Sequence, residues 1–266
     1  MPELPEVETI VRTLRPELVG RSIVSVDLRW GRTLAVPAPD VFAGQITGQQ
    51  ILAVTRRAKY FQLQLTNLNL FIHLRMSGDL LVKDGGLPAE KHDRLHLNLS
   101  DGRRLVFNDA RKFGRVWLVA DPEEVTGGLG PEPLDTLFTA QMLYNNLHRR
   151  HRQVKPLLLD QAFLAGLGNI YTDEALHFSR VHPLRLSDTI TLDEAEELLR
   201  GIRAVLQAGI EHNGASFDWV YRGGSFQNHF RVYGRAGEAC PVCGAPIQRI
   251  VVGQRGTHFC PGCQVR

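Results

Sequence analysis

Four cysteines in two pairs constrain this chain more than any other feature. Cys240 and Cys243 form one C-x2-C knuckle, Cys260 and Cys263 form a second, and sixteen residues separate the two. Four thiolates at this spacing are typical of a tetrahedral zinc ribbon, which leaves no position open for water. The pattern therefore predicts one structural Zn2+ ion that stabilises a module too small to fold alone. In a reducing compartment, cysteines clustered in this way favour metal binding over disulfides.

The segment between the knuckles predicts a hairpin with its turn at Gly253-Gln254-Arg255-Gly256. This places Arg255 at an exposed tip, where contact with a phosphate is natural. Zinc ribbons bind nucleic acid, protein or no partner at all, so the ribbon alone leaves the partner open.

The charge distribution favours a polyanionic partner. The net charge is only +3, but basic residues concentrate in three groups with few acids, at 103–115, 149–155 and 231–266. Dense groups of this kind are typical of proteins that bind nucleic acid. No segment approaches 18 uninterrupted apolar residues and no basic stretch leads into an apolar run, so we expect a cytoplasmic protein without a membrane partner.

The pattern of apolar residues predicts an α+β fold. Pro5 opens a predicted helix that ends near Gly20, because proline suits a first turn and apolar residues follow at helical spacing. Alternating apolar residues then predict short strands, which favour an antiparallel sandwich or barrel. The predicted strands are 23–28, 60–65, 69–74, 95–99, 105–108 and 116–119.

The chain turns helical after a Gly- and Pro-rich linker at Gly127–Pro133. The clearest helix begins at Thr191, where Thr191 and Glu194 form a capping box. Upstream, two glycines in LAGLGNIY (164–171) allow close approach to an anion, although a tight turn between packed helices has the same pattern. Met76 and Phe113 are similarly ambiguous between core residues and wedges that enter a base stack.

Several of these motifs occur together in one known family. PELPEVE, RRAKY, HLRMSG, NDARKFG, GLGNIYTDEAL and the zinc ribbon follow one another in the order seen in formamidopyrimidine-DNA glycosylases. The chain resembles this bacterial family over nearly its whole length. The resemblance implies a helix and β-sandwich catalytic domain at 1–130, a helix-two-turns-helix (H2TH) domain with a lesion-covering loop at 131–230, and the ribbon at 231–266. It also implies a monomer that acts on double-stranded DNA containing oxidised bases or abasic sites.

The resemblance implies a catalytic set made of Pro2, Glu3, Lys59 and Arg255. Once Met1 is removed, the Pro2 amine attacks C1′ of the damaged nucleotide, expels the base and forms an iminium. An α-amino group titrates near about 7.7–8.0, so it is more often neutral than a lysine at about 10.4. Glu3 moves protons at the sugar, Glu6 holds the geometry, and Lys59 and Arg255 contact phosphate.

A second implied set binds DNA. His92 and Asn169 contact phosphates, while Met76, Arg111 and Phe113 fill the gap left by the flipped nucleotide, with Arg111 facing the orphaned cytosine.

The implied activity is removal of formamidopyrimidines and 8-oxoguanine, followed by strand cleavage through β,δ-elimination. One alternative is an endonuclease VIII-like enzyme for oxidised pyrimidines, against which the PEL start and NDARKFG argue. Another is a non-catalytic zinc-ribbon DNA-binding protein, against which the Pro2-Glu3 start argues. The segment Ala215–Ser225 looks shorter than the usual lesion-covering loop and more aromatic, which leaves the ranking of lesions open.

Overall fold

The computed structural model describes residues 1–216 and 223–266, so most of the aromatic segment Ala215–Ser225 lies outside the described residues. Contacts divide the described chain into two compact units, one built on Met1–Gly128 and the other on Leu129–Ala215 with Gly224–Arg266. Within these described ranges, no helix has both the length and the apolar character needed to cross a membrane.

Among its described residues, the first unit contains three α-helices, a short 3-10 helix at Gly31–Thr33 and two sheets. The helices are α1 (Leu4–Leu18), α2 (Pro39–Ile46) and α3 (Glu123–Thr126). The strands are β1 (Ile23–Leu28), β2 (Leu34–Val36), β3 (Ile51–Arg57), β4 (Tyr60–Leu65), β5 (Asn69–His73), β6 (Gly78–Asp84), β7 (Asp93–Leu99), β8 (Arg103–Asp109) and β9 (Arg115–Val119). One sheet has the order β1-β7-β8-β6 and the other β2-β9-β5-β4-β3. The short β2–β9 pair is parallel, in a sandwich that is otherwise antiparallel as predicted.

A hydrophobic core lies between the two sheets and α1. It includes Ile10 and Leu14 from the helix, Phe61 from the five-stranded sheet, and Leu97 and Phe107 from the four-stranded sheet. Burial of these apolar faces is the main stabilising contribution to the sandwich. The predicted strands are present, and the sheets also contain β2, β3 and β6, which the sequence pattern did not predict because their pairing with neighbours outweighs weak alternation.

The second unit is helical and carries the ribbon hairpin. Its helices are α4 (Ala140–His148), α5 (Val154–Leu158), α6 (Asn169–Phe178) and α7 (Leu192–Glu211), and its strands are β10 (Gln248–Val252) and β11 (Arg255–Phe259). The predicted capping box begins α7, because the Thr191 hydroxyl accepts from the Glu194 N–H at 3.2 Å and the Glu194 carboxylate accepts from the Thr191 N–H at 2.9 Å. The middle of the predicted linker makes a fixed contact, since the Gly130 N–H donates to the Gln161 carbonyl at 2.8 Å.

Candidate active site and nucleic-acid contacts

The chain start is packed, not frayed. Pro2 is buried and Glu3 is only 3% exposed. Glu3 is the N-cap of α1 in extended backbone, and its N–H donates to the Glu6 carboxylate at 2.7 Å. This bond explains why α1 begins at Leu4, one residue before the predicted start. The fold therefore fixes Pro2 and Glu3 next to each other at the positive end of the helix.

Four predicted site residues share an unusual backbone setting. Six described non-glycine residues have positive φ, and four of them stand directly before a predicted site residue. These four are Ala58 (52°), Arg75 (56°), Lys112 (60°) and Gln254 (62°), which precede Lys59, Met76, Phe113 and Arg255. Left-handed backbone is costly for such residues and persists where packing enforces it, most often at functional sites. These sharp turns determine the direction in which the chain continues at the residues that follow them.

Lys59 lies in the turn between β3 and β4 and is buried, at 4% exposed. The interpretation of Lys59 as an ordinary solvated hairpin lysine is therefore wrong. Its neighbour His73 was missed by the sequence reasoning. The Arg75 N–H donates to His73 Nδ1 at 3.0 Å. Burial, together with the charges of Arg75 and Lys59, lowers the pKa of His73 from 6.5 to about 3. His73 is thus a neutral acceptor that holds the left-handed turn at Arg75.

We expect His73 to make the protein less stable in mild acid. Below pH 6.5 the His73 side chain binds a proton in the unfolded chain but not in the folded protein. The free energy of unfolding therefore decreases as the pH is lowered from 6.5 to about 3. At pH 5 this amounts to about 2 kcal/mol relative to pH 8. Urea unfolding of wild type and His73→Gln at both pH values measures it. The variant should lose about 2 kcal/mol less than wild type, whereas equal losses would contradict the assignment.

Two loops at one end of the sandwich carry the predicted gap-filling residues. The β5–β6 loop (residues 74–77) contains Met76, and the β8–β9 loop (residues 110–114) contains Arg111 and Phe113. Met76 is 42% exposed and Phe113 is 49% exposed, so neither is the core residue that was the competing interpretation. The Arg111 guanidinium lies 5.0 Å from the centre of the Phe113 ring. The loops thus present an apolar pair and a cation outside the core.

His92 precedes β7 and is half-buried. Its Nδ1 lies 3.3 Å from the Arg94 guanidinium, which also donates to the Asp109 carbonyl at 2.7 Å. The ring is therefore held by the end of β8 and is not a loose surface histidine.

Several cations from the three basic groups are structural. Lys155 is completely buried and its Nζ contacts the Asp173 carboxylate at 2.6 Å. Arg104 is 7% exposed and donates to the Leu87 carbonyl, and Arg103 pairs with Asp101 at 2.7 Å. Counting these residues as part of a polyanion-binding surface was wrong, because sequence density does not reveal burial or pairing.

One face of α6 holds the ribbon hairpin. The Asn169 side-chain amide donates to the Gly256 carbonyl at 2.9 Å, and buried Lys155 donates to the same oxygen at 3.1 Å. One turn along the helix, the Asp173 carboxylate accepts from the His258 N–H at 2.8 Å. These bonds place Asn169 beside the residue that follows Arg255 in the chain.

Arg255 is exposed but is not a turn residue. The turn consists of Gly253 and Gln254, both with positive φ, as in a two-residue type I′ hairpin. Arg255 is the first residue of β11 and pairs with Val252. The predicted turn was one residue too late, because Gly253-Gln254 differs from the Asn-Gly and Asp-Gly pairs that usually mark a type I′ turn.

Replacing Arg255 by Ala should weaken binding to lesion and undamaged duplexes alike. An exposed cation that contacts phosphate contributes about one unit to the slope of log K against log salt. The control is Arg200→Ala, which removes an exposed arginine paired with Glu197 on α7 and should leave the slope unchanged. Salt titrations of duplex binding test this, and a loss confined to lesion DNA would contradict the phosphate assignment.

The four cysteines converge on one point. Their sulfur atoms all lie within 4.8 Å of one another, with Cys240 to Cys263 at 3.8 Å and Cys243 to Cys260 at 3.3 Å. Disulfide sulfurs are about 2.05 Å apart, whereas a tetrahedron with Zn–S distances of about 2.3 Å has edges of about 3.8 Å. His177 of α6 lies 3.4 Å from the Cys240 sulfur through Nε2. The donor set fits one structural Zn2+ ion, as predicted.

Comparison with known proteins covers the whole chain. Family models match the formamidopyrimidine-DNA glycosylase N-terminal domain at residues 1–116, the H2TH domain of the same enzyme at 129–219, and a zinc finger found in FPG and IleRS at 237–265. A formamidopyrimidine-DNA glycosylase of Desulforamulus reducens is 47% identical over 274 residues, 99% of each chain.

Solved structures agree with this result. Lactococcus lactis Fpg in complex with DNA containing an abasic site matches with a TM-score of 0.93 at 35% identity over 100% of both chains. MutM in complex with DNA containing carbocyclic 8-oxo-G matches with a TM-score of 0.93 at 36% identity and the same coverage. The fold and the four-cysteine site define an H2TH protein with a zinc finger. The chain belongs to the formamidopyrimidine-DNA glycosylase family.

Proposed function

We propose that this chain is a base-excision-repair enzyme that removes oxidised purines from double-stranded DNA and then cleaves the strand at the abasic site. The observation that carries the proposal is the buried Pro2-Glu3 pair fixed at the start of α1 in a member of this family. The relatives bound to DNA with an abasic site and with 8-oxo-G support the substrate class. The enzyme acts as a monomer in the bacterial cytoplasm.

Pro2 is the nucleophile once Met1 has been removed, because the nitrogen is an amide while Met1 is attached. The lone pair of the free amine forms a bond to C1′, and the glycosidic bond breaks with its electrons on the departing base. Ring opening gives an iminium between the proline nitrogen and C1′. Successive eliminations then break the C3′–O and C5′–O bonds, and water releases the sugar remnant from the amine.

Glu3 moves protons at the sugar during these steps. It is the residue next to the nucleophile, and its backbone is held by the Glu6 carboxylate at the first turn of α1. Burial at 3% exposed keeps the side chain in one place and excludes water around it. A proton-transfer group must lie within hydrogen-bond reach of the reacting atoms, and the position of Glu3 directly after Pro2 supports this role.

Phosphate contacts come from both units. Lys59 and His92 supply them from the sandwich, and Asn169 and Arg255 supply them from α6 and the ribbon hairpin. Support comes from the left-handed turns before Lys59 and Arg255 and from the bond that joins Asn169 to Gly256. Flipping a nucleotide out of the duplex costs roughly a few kcal/mol, because its base loses its stacking and pairing interactions. The phosphate contacts offset this cost.

Arg111 selects the base opposite the lesion, while Met76 and Phe113 fill the gap. Arginine presents donors only. The pairing edge of cytosine offers two acceptors, N3 and O2, whereas that of adenine offers only N1. A mismatched buried donor costs about 1–3 kcal/mol, so we expect about ten- to a hundredfold preference for cytosine.

The preference is measured as the ratio of the excision rates of the lesion opposite cytosine and opposite adenine, for wild type and for Arg111→Ala. The variant should lose the preference. Lys112→Ala is the control, because the Lys112 ammonium lies 3.9 Å from the centre of the Trp30 ring. A full preference in Arg111→Ala would assign the role elsewhere.

A panel of single-lesion duplexes tests the function. We expect excision of formamidopyrimidine and 8-oxoguanine to exceed that of oxidised pyrimidines, and the reverse order would favour the endonuclease VIII-like alternative. Borohydride added during the reaction should trap a covalent protein–DNA adduct. Protein that binds duplex DNA but shows neither excision nor trapping would support the alternative of a non-catalytic DNA-binding protein.

A further inference from the structure

The two gap-filling loops emerge side by side from paired strand ends. Gly78, the first residue of β6, pairs with Asp109, the last residue of β8. A side chain at Gly78 or Gly114 would come within 2.8 or 2.2 Å of the buried Phe107 ring. Both loops therefore rest on the same ring at positions where only glycine fits.

One buried carboxylate binds both loops. Asp109 is 1% exposed. Its Oδ1 accepts a bond from the Ser77 hydroxyl of the β5–β6 loop and one from the Arg111 N–H of the β8–β9 loop, the latter at 3.2 Å. Its Oδ2 accepts from the Gly114 N–H at 2.7 Å. The Ser77 hydroxyl is also 3.1 Å from the Arg111 N–H, which closes a small ring of bonds between the loops.

The chemistry of this position calls for a carboxylate. A carboxylate accepts at both oxygens, whereas an amide of the same shape accepts at one atom and presents donors at the other. An asparagine would therefore face either the Ser77–Arg111 donors or the Gly114 donor with an N–H group. Because the site is buried, water cannot replace the lost bond.

We propose that Asp109 is a positioning residue that fixes the spacing between Met76 and the Arg111–Phe113 pair, so that both loops enter the gap as one preformed wedge. The inference rests on the proposed function, in which these residues fill the gap. Asp109 acts on duplex DNA only, since a single strand has no partner base and no gap to fill. It does not act on the chemistry at Pro2.

The test compares two substrates in one set of variants. Asp109→Asn should lower excision of 8-oxoguanine from duplex DNA about 10- to 100-fold, the range expected for one unsatisfied buried group. It should leave borohydride trapping on a single-stranded abasic oligonucleotide close to wild type. Asp93→Asn is the matched control, because this carboxylate is equally buried but accepts from Asn108 and from the Glu90 N–H. A parallel loss on both substrates in Asp109→Asn would overturn the inference.

A double-mutant comparison separates positioning from general damage to the fold. In a Met76→Ala/Phe113→Ala background, Asp109→Asn should add little further loss on duplex, because the groups it positions are gone. Additive losses would overturn the inference. Ser77→Ala removes one of the donors to Asp109 and should cause a smaller loss of excision from duplex DNA. This variant tests the inference if Asp109→Asn folds poorly. If Met76→Ala/Phe113→Ala itself excises normally from duplex, the proposed gap-filling role fails instead.

Discussion

Protein that retains Met1 should lose the borohydride-trapped adduct by about a hundredfold or more while duplex binding persists. The attached methionine turns the Pro2 nitrogen into an amide, which has no nucleophilic lone pair. Removal of the group that attacks the substrate typically costs several orders of magnitude in rate. Trapping on lesion duplex, with binding measured in parallel, gives both quantities.

The matched control is Pro5→Ala. Pro5 is the other proline in the first turn of α1, and its nitrogen lies within the chain. This variant should trap as wild type does if the terminal amine is what matters. Full trapping by Met1-retained protein would place the nucleophile on another residue.

Cys243→Ser, or exhaustive chelation, should remove zinc and abolish DNA binding. Structural four-cysteine sites contribute about 10–16 kcal/mol to folding, which exceeds what a hairpin of this size can replace. Loss of the ribbon removes Arg255 and also the Gly256 carbonyl that holds Asn169. We expect about one zinc per chain in wild type by elemental analysis and none in the variant.

Val242→Ala provides the control for this experiment. Val242 lies between the two cysteines of the first knuckle and is 52% exposed, so it alters the same loop without removing a ligand. Zinc content and binding should both stay at the wild-type level. Metal-free protein that binds duplex with unchanged affinity would show that the ribbon is not part of the DNA contact.

Local patterns predicted much of the architecture. The capping box at Thr191 and Glu194 and the paired knuckles depend on neighbours in sequence, so spacing alone identified them. The predicted β-sandwich followed from alternation in strands such as β4. The start of α1 was misplaced by one residue because the Glu3–Glu6 bond is visible only in three dimensions.

Burial of polar groups was the main feature that the sequence did not reveal. The sequence around Lys59 and Lys155 does not distinguish them from surface lysines, yet both side chains are buried. The exposure of Met76 and Phe113 depends on the pairing of β6 with β8, which local periodicity does not encode. Asp109 lies inside the NDARKFG motif, but its contact with Ser77 joins residues 32 positions apart.

The most direct test of the central claim locates the covalent bond itself. Protein is incubated with duplex containing 8-oxoguanine, the intermediate is reduced with borohydride, and the product is digested with nuclease and trypsin before mass spectrometry. We expect the sugar remnant on the peptide PELPEVETIVR, attached at the nitrogen of Pro2. A remnant on a lysine peptide, including one that contains Lys59, would contradict the account.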